Sequence, residues 1–222
     1  MMVKLLDSGI TCARLNLAQG NIASNLNLLA NFKLAKRLRP HLTCGLMIEV
    51  RGRQVRVSDI KDKSNALRLK SGSKIKMVGG KWPMSSSIEE LRISSDAVCK
   101  MLKANDLIHF DNGKVVAIVR AANEREASLE VKLGGTISGN CNVRFVGGKH
   151  AQLEILQRHD LKDMQEVAAT NIVDFVAIPH VASSHDILEV RRQLGKNSGN
   201  FAVVAKIDMD EGVHRFEDIL AA

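Results

Sequence analysis

The chain has 222 residues, of which 45% are hydrophobic, and a formal net charge of +8 at pH 7. This length and composition predict a globular protein with a sizeable core and exclude a disordered chain. The basic excess suits phosphorylated, anionic ligands or nucleic acid. With six Phe, one Trp and no Tyr, however, few side chains can stack on bases, so we do not expect nucleic-acid binding.

Cysteine spacing and hydropathy indicate the cellular compartment. Cys12, Cys44, Cys99 and Cys141 lie far apart and form no Cys-x-x-Cys pair. We therefore expect buried free thiols in a reducing compartment rather than a zinc site or a disulfide framework. The first residues lack an unbroken apolar stretch, and no apolar run is long enough to span a bilayer. These features predict a cytoplasmic protein without membrane contact.

The first 57 residues alternate between strand and helix patterns. Residues 10–17 predict a strand, residues 21–39 a helix that Pro40 ends, and residues 42–50 a second strand. The helical period is then lost from about residue 58 to 157, where short alternating runs predict strands. Asn112-Gly113 stands between two such runs, which is a strong signal for a hairpin. The middle of the chain therefore predicts a small all-β domain.

Strands and helices alternate again from residue 158 onward. Asp160 is the expected cap of one helix, and Ser183 with Asp186 has the form of a capping box at the start of another. Residues 173–178 and 201–206 predict buried parallel strands joined by right-handed crossovers. Asp210 is the expected cap of the last helix. That helix carries one apolar stripe made of Val213, Phe216, Ile219 and Leu220.

Charged side chains stand at the ends of the first and last predicted strands. Lys206 ends the last strand and Asp208 follows two residues later, so both point to the same side. Arg14 and Asn16 share one face of the first strand for the same reason. Barrels of strands and helices present catalytic groups at the carboxyl ends of their strands, and a guanidinium suits phosphate. A phosphate-binding rim therefore requires Arg14 and Lys206 to converge.

Several of these segments together resemble pyruvate kinase. Residues 13–17 are similar to the family's Ala-Arg-Leu-Asn-Phe strand, and residues 206–220 to its Lys-Ile-Glu, Glu-Gly-Val and Phe-x-x-Ile-Leu segments. The resemblance implies an α/β fold: a partial (β/α) barrel of about the second to the fifth strand, interrupted by an inserted small all-β barrel. Residues 1–57 and 158–222 would form the barrel, and residues 58–157 the inserted cap.

The resemblance also implies a reaction, the transfer of a phosphoryl group from phosphoenolpyruvate to ADP to give pyruvate and ATP in glycolysis. Lys206 would neutralise the transferring group. Arg14 would contact the substrate phosphate, and Arg56 matches an active-site arginine. Arg14 and Asn16 would also lie in the nucleotide region. His180 replaces part of a family motif and is expected to be a histidine of the rim rather than an acid–base group.

Metal ligands are implied in the same way. Asp208 takes the position of a glutamate that binds Mg²⁺, while Asn16 and Glu49 correspond to ligands of K⁺. The family's other oxygen ligands are replaced by Ala18 and Val50, which counts against a K⁺ site. The chain also stops at Ala222, before the family's second magnesium carboxylate.

These departures predict a weak or inactive pyruvate kinase: a truncated gene model, a fragment or a diverged paralogue. A second hypothesis is a non-catalytic paralogue that binds phosphorylated metabolites, or that associates as a homo- or hetero-oligomer with intact pyruvate kinase subunits. A third, and the least favoured, is nucleic-acid binding by a basic cluster. This cluster consists of Arg51, Arg53, Arg56, Lys61 and Lys63.

Overall fold

The computed structural model of the chain describes residues 1–80, 84–147, 152–195 and 201–222. The chain divides into two compact units. The first unit comprises Met1–Arg53 with Glu154–Ala222, and the second unit comprises Gln54–Leu153. Each unit has its own hydrophobic core. In the described part of the chain, no helix combines the length and the apolar character that crossing a membrane requires.

Helices and strands are numbered along the chain. The helices are α1 (Met2–Asp7), α2 (Ile22–Leu38), α3 (Ala97–Met101), α4 (Arg158–Ala168), α5 (Ser184–Leu194), α6 (Asp210–His214) and α7 (Phe216–Leu220). The strands are β1 (Cys12–Asn16), β2 (Gly45–Glu49), β3 (Val55–Arg56), β4 (Ala66–Leu69), β5 (Lys74–Gly79), β6 (Glu90–Ile93), β7 (Leu107–Phe110), β8 (Val115–Ala122), β9 (Glu126–Leu133), β10 (Gly135–Ser138), β11 (Asn142–Phe145), β12 (Phe175–Ile178) and β13 (Ala202–Ala205).

The first unit is built on a parallel sheet of four strands in the order β1-β2-β12-β13. The spatial order equals the chain order, and a helix follows β1, β12 and β13, as in a barrel of alternating strands and helices. Residues on both faces of the central strands are buried, with Ile48 and Val176 on one face and Glu49 and Ala177 on the other. The structure thus confirms the predicted α/β class and the partial (β/α) barrel.

The second unit is a β barrel. Its main sheet has seven strands in the order β3-β11-β7-β8-β9-β5-β6. A bridge between Val57 and Ile93 joins the two edges of this sheet, and the amide of Ser58 donates to the carbonyl of Arg92 at 2.8 Å. The inserted all-β barrel is therefore confirmed. The hairpin predicted at Asn112 is also confirmed, because β7 and β8 pair there in antiparallel fashion.

Two helix starts were predicted from carboxylates, with different outcomes. The capping box of α5 is confirmed: the Asp186 carboxylate accepts the amide of Ser183 at 3.1 Å. The prediction that Asp160 caps α4 is wrong. Gln157 is the N-cap residue, and Asp160 lies three residues later, inside the helix. The Asp160 carboxylate accepts the amides of Gln157 and Arg51, both at 3.0 Å, so its hydrogen bonds hold the helix start from within.

The prediction of a last helix that Asp210 caps and that buries one apolar stripe is wrong on both points. Two short helices, α6 and α7, meet at Arg215, and Met209 rather than Asp210 caps the first. Because the helix is divided, the four stripe residues do not lie on one face, and Ile219 alone of the four is buried. The other three residues are 63%, 47% and 70% exposed, in the order Val213, Phe216 and Leu220.

Three of the four cysteines are buried free thiols, as predicted. They are Cys44, Cys99 and Cys141, and burial raises the pKa of the Cys141 thiol to about 11. The expectation of burial is wrong for Cys12, which is exposed because it begins a strand at the edge of its sheet.

Glu130 on the second unit gives a stability prediction. Lys132 and Arg120 donate to its carboxylate at 2.7 and 2.8 Å, and these bonds lower its pKa from 4.5 to about 2. Because the pKa is lower in the folded state, the stabilisation is present above pH 4.5 and is lost as the pH falls through about 2. We therefore expect Glu130→Gln to lower the unfolding temperature at neutral pH and to have less effect in acid.

Thermal unfolding followed by circular dichroism at a series of pH values measures this difference. Glu124→Gln is the control, because Glu124 is an exposed glutamate at the turn between β8 and β9. A difference between Glu130→Gln and the wild type that stays constant down to about pH 3 would contradict the prediction.

Candidate active site

The carboxyl ends of the four parallel strands form one edge of the first unit, which we call the rim. Six polar side chains lie on these strand ends or within three residues of them: Arg14, Asn16, Glu49, His180, Lys206 and Asp208. Strand register explains the grouping, since Asn16 stands beside Glu49, Glu49 beside Ala177, and Ile178 beside Ala205. Residues far apart in sequence therefore meet at this edge.

Glu49 lies at the centre of the rim and binds two cations. Its side chain is only 3% exposed, yet Lys206 Nζ donates to its Oε1 at 2.6 Å and Arg14 Nε lies 3.4 Å from its Oε2. Arg14 and Lys206 are 58% and 35% exposed. The structure thus brings the two predicted cations together on one buried carboxylate. Around Glu49 two positive charges meet one negative charge, and Asp208 adds a second carboxylate near Lys206, so it is the exposed Arg14 that can turn to an anion in solvent.

Asp208 is held by His180. The backbone amide of His180 donates to Asp208 Oδ1 at 3.0 Å, and its ring Nδ1 lies 2.9 Å from the same oxygen. Burial raises the pKa of the Asp208 carboxyl, but the hydrogen bonds and charge of His180 and the charge of Lys206 lower it by more, so this pKa lies below its usual value. His180 has a φ of 59°, a conformation that few residues other than glycine adopt.

Arg53 supports this arrangement from beneath, a role that the sequence interpretation missed. Its guanidinium donates to both carboxylate oxygens of Asp186, at 2.7 and 2.5 Å, and to the carbonyl of His180 at 2.9 Å. Both side chains of the pair are buried. Arg53 therefore fixes the backbone of His180, which in turn orients Asp208. The capping box at Asp186 was the available signal, because a buried carboxylate needs a cation.

The residues implied for K⁺ do not fit such a site. Asn16 Oδ1 accepts the amide of Ala18 at 2.9 Å, and both oxygens of Glu49 face cations. Ala18 and Val50 are buried and offer no side-chain oxygen. A monovalent cation would have to displace ion pairs to bind here.

Magnesium fits only in part. The described residues contain no group of three or more His, Cys, Asp or Glu side chains that could hold a metal. Asp208 Oδ1 is already hydrogen-bonded to His180, which leaves Oδ2 as the oxygen to offer. Because Mg²⁺ commonly takes one or two carboxylates together with phosphate oxygens of a substrate, Asp208 suits an ion that arrives with a phosphorylated ligand.

Arg56 belongs to the second unit, on β3. Its guanidinium donates to the carbonyl of Asn140 at 2.7 Å and to Gln54 Oε1 at 2.8 Å. Arg51 pairs with Asp163, as Arg53 pairs with Asp186. Three arginines of the basic cluster are thus engaged within the protein, which counts further against nucleic-acid binding.

Known proteins are similar to this chain in sequence and in fold. The whole chain, residues 1–222, matches the family model of the pyruvate kinase barrel domain. The chain belongs to the pyruvate kinase family. It is similar to a probable cytosolic pyruvate kinase of Arabidopsis thaliana, at 24% identity over 99% of this chain and 44% of the relative. It is also similar to the cytosolic isozyme of Solanum tuberosum, at 25% identity over 99% of this chain and 43% of the relative.

A crystal structure of pyruvate kinase from Cryptosporidium parvum has the same fold, with a TM-score of 0.88 and 24% identity over 99% of this chain and 46% of that chain. The chain therefore spans less than half the length of these relatives. Members of the pyruvate kinase family are glycolytic transferases that generally use Mg²⁺ and K⁺.

Proposed function

We propose that the rim binds phosphoenolpyruvate and that the chain is a slow pyruvate kinase-like phosphotransferase. One observation carries the proposal: Arg14 and Lys206 come from opposite ends of the chain and meet on the same carboxylate. The buried Glu49 carboxylate needs one cation to balance its charge, and the positive charge of the 58% exposed Arg14 can then serve an anionic substrate. We place this activity in the cytosol, like that of the cytosolic relatives.

In the proposed reaction the bond between phosphorus and the enol oxygen breaks, and the phosphoryl group passes to a terminal oxygen of ADP. The enolate takes up a proton at carbon and becomes pyruvate. Lys206 neutralises charge on the phosphoryl group as it moves, which is where such transfers gain most of their catalysis. The exposed Arg14 binds the phosphate and Asn16 lies two residues further along the same strand, while Asp208 would hold a Mg²⁺, which would supply positive charge to the phosphate oxygens.

The same geometry supports a low rate. Lys206 Nζ lies 2.6 Å from a buried carboxylate, so the phosphoryl group must compete with Glu49 for this cation. The loss of one electrostatic element in such a site typically lowers the rate about a hundredfold. We therefore propose turnover well below that of a full-length family member.

The test is pyruvate release from phosphoenolpyruvate and ADP in the presence of Mg²⁺, together with calorimetric titration of phosphoenolpyruvate. Binding with slow pyruvate release supports the proposal. Absence of both binding and release contradicts it. Turnover equal to that of a full-length pyruvate kinase measured alongside would contradict the proposed low rate.

Because the K⁺ ligands do not fit, we expect phosphoenolpyruvate binding to be independent of K⁺. Replacing K⁺ by tetramethylammonium at constant ionic strength should leave the dissociation constant unchanged, since Lys206 and Arg14 already lie against the two oxygens of Glu49. Calorimetry in the two salts measures this, with a full-length pyruvate kinase as the positive control. Tighter binding in K⁺ alone would show that the ion enters despite these ion pairs.

A second candidate is a non-catalytic protein that binds phosphorylated metabolites or docks on intact pyruvate kinase subunits. The contact between Lys206 and Glu49 favours it, because an ammonium that is already paired can hold a phosphate without assisting its transfer. Phosphoenolpyruvate binding without any pyruvate release, and co-purification with an active subunit, distinguish this candidate from the slow enzyme.

A further inference from the structure

Glu49, at the end of β2, contacts a lysine that lies beyond the neighbouring strand. Strand register places Glu49 beside Ala177 of β12, and Ala177 beside Val204 of β13. Lys206 follows two residues after Val204, so side-chain alternation puts Lys206 and Glu49 on the same face of the sheet. The side chain between them, that of Ala177, is a single methyl group and leaves room for the two charged groups to meet.

The contact requires long side chains on both strands. Two strand spacings separate β2 from β13, which is about 10 Å, yet Lys206 Nζ lies 2.6 Å from Glu49 Oε1. Side chains leave a sheet roughly at right angles, so both must bend toward each other to cover this span. An aspartate in place of Glu49 would be about 1.5 Å shorter and would fall outside hydrogen-bond distance of the ammonium.

Lys206 is the principal counter-ion of the Glu49 carboxylate. The Glu49 side chain is 3% exposed, and its Oε1 accepts a hydrogen bond from Lys206. Its other oxygen, Oε2, has no hydrogen-bond partner in the described part of the chain, and Arg14 Nε lies 3.4 Å from it. Taking Lys206 away would therefore leave a buried carboxylate without a hydrogen-bonded counter-ion, which is energetically costly.

This cost falls on any phosphorylated ligand that uses Lys206. To receive the hydrogen bonds of the ammonium, a phosphate must draw Nζ away from Glu49, and the cost of the unpaired carboxylate is subtracted from the free energy of binding. Arg14 imposes no comparable cost, because its guanidinium is 58% exposed and makes no hydrogen bond to Glu49. The length of the Glu49 side chain therefore weakens one of the two cations of the rim and spares the other.

We propose that Glu49 is an autoinhibitory residue: it holds Lys206 and thereby lowers the affinity of the rim for phosphorylated ligands. This role rests on the proposed function, because the rim must first bind such a ligand. A shorter carboxylate in place of Glu49, with the charge unchanged, should then strengthen binding. A purely structural role for Glu49 predicts the opposite, since the loss of a buried ion pair destabilises the site around it.

Glu49→Asp tests the contact first without any ligand. Acylation of lysines by acetic anhydride, followed by peptide mass spectrometry, measures how readily each ammonium leaves its partner, since only the neutral amine reacts. Lys206 should react several-fold faster in Glu49→Asp than in the wild type. Glu130→Asp is the matched control: it shortens a carboxylate that pairs with Lys132 at 2.7 Å in the second unit, and it should leave the rate at Lys206 unchanged.

Calorimetric titration of phosphoenolpyruvate then measures the effect on binding. Glu49→Asp should bind about tenfold more tightly than the wild type, which is the order of one hydrogen bond between charged groups. The gain should disappear when Lys206→Met is added, so that the double variant binds like Lys206→Met alone. Circular dichroism checks folding. Glu49→Gln keeps the shape of the side chain and replaces Glu49→Asp if the latter does not fold; it should shift both readouts in the same direction.

The outcomes separate the autoinhibitory role from the proposed function. If the wild type binds phosphoenolpyruvate, then unchanged acylation of Lys206 in Glu49→Asp, or binding that is no tighter, overturns the autoinhibitory role alone. A gain in affinity that persists after Lys206→Met is added also overturns it, because Lys206 would not be the released group. If neither the wild type nor Glu49→Asp binds phosphoenolpyruvate, the proposed function fails and the autoinhibitory role fails with it.

Discussion

Lys206→Met is expected to lower the rate of pyruvate release from phosphoenolpyruvate and ADP about a hundredfold or more. Methionine keeps an unbranched apolar side chain but removes the ammonium, which is the group that offsets charge on the moving phosphoryl group. Arg14 remains, so part of the substrate binding should survive. The affinity for phosphoenolpyruvate should fall about tenfold, because one hydrogen bond between charged groups is lost.

Two controls separate this chemical role from a structural one. Lys132→Met removes a lysine that also pairs with a glutamate, at 2.7 Å, but in the second unit, and should leave both quantities unchanged. Lys206→Met combined with Glu49→Gln removes the buried charge that would otherwise lose its main partner. This double variant should fold like the wild type and still release pyruvate slowly. Wild-type turnover in Lys206→Met would remove this lysine from the mechanism.

The sequence predicted the rim in outline but not its internal contacts. Alternation of side chains and the parallel order of strands place Arg14 and Lys206 at one edge, and the structure brings them together. Neither rule says which anion lies between them. Glu49 was assigned to K⁺ through the family resemblance, and its contact with Lys206 at 2.6 Å depends on a lysine side chain that reaches past the end of β12.

The histidine and the last helices were missed for different physical reasons. Nothing in the sequence around His180 signals a φ of 59°. The backbone is held in this conformation by the hydrogen bond from Arg53 to the His180 carbonyl and by the hydrogen bond from the His180 amide to Asp208. The stripe in the last helix has a regular period, yet the helix is divided at Arg215. A Cβ on Gly212 would lie 2.4 Å from the carbonyl of Val181, so α6 packs closely on the loop after β12, a contact that the period of apolar residues does not reveal.

Asp186→Asn is expected to lower the free energy of unfolding of the first unit by about 3–5 kcal/mol. The carboxylate is buried and accepts both terminal nitrogens of Arg53, together with the amides of Ala182 and Ser183. An asparagine still offers one oxygen to these amides, but its NH₂ group faces the guanidinium, and Arg53 is left as a buried charge without its counter-ion. Urea unfolding followed by circular dichroism measures the loss.

Asp7→Asn is the matched control, because Asp7 pairs with Arg39 at 2.6 Å in an exposed setting, where screening by solvent leaves such a pair little net effect on stability. Arg53→Met with Asp186→Leu removes both buried charges and should recover part of the stability, although the amides at the start of α5 still lose their acceptor. Since Arg53 also holds the carbonyl of His180, the rim should loosen in Asp186→Asn, and phosphoenolpyruvate should bind less tightly even where the protein is fully folded. Equal losses in Asp186→Asn and Asp7→Asn would mean that burial adds nothing to this pair, and the support of the rim by Arg53 would lose its basis.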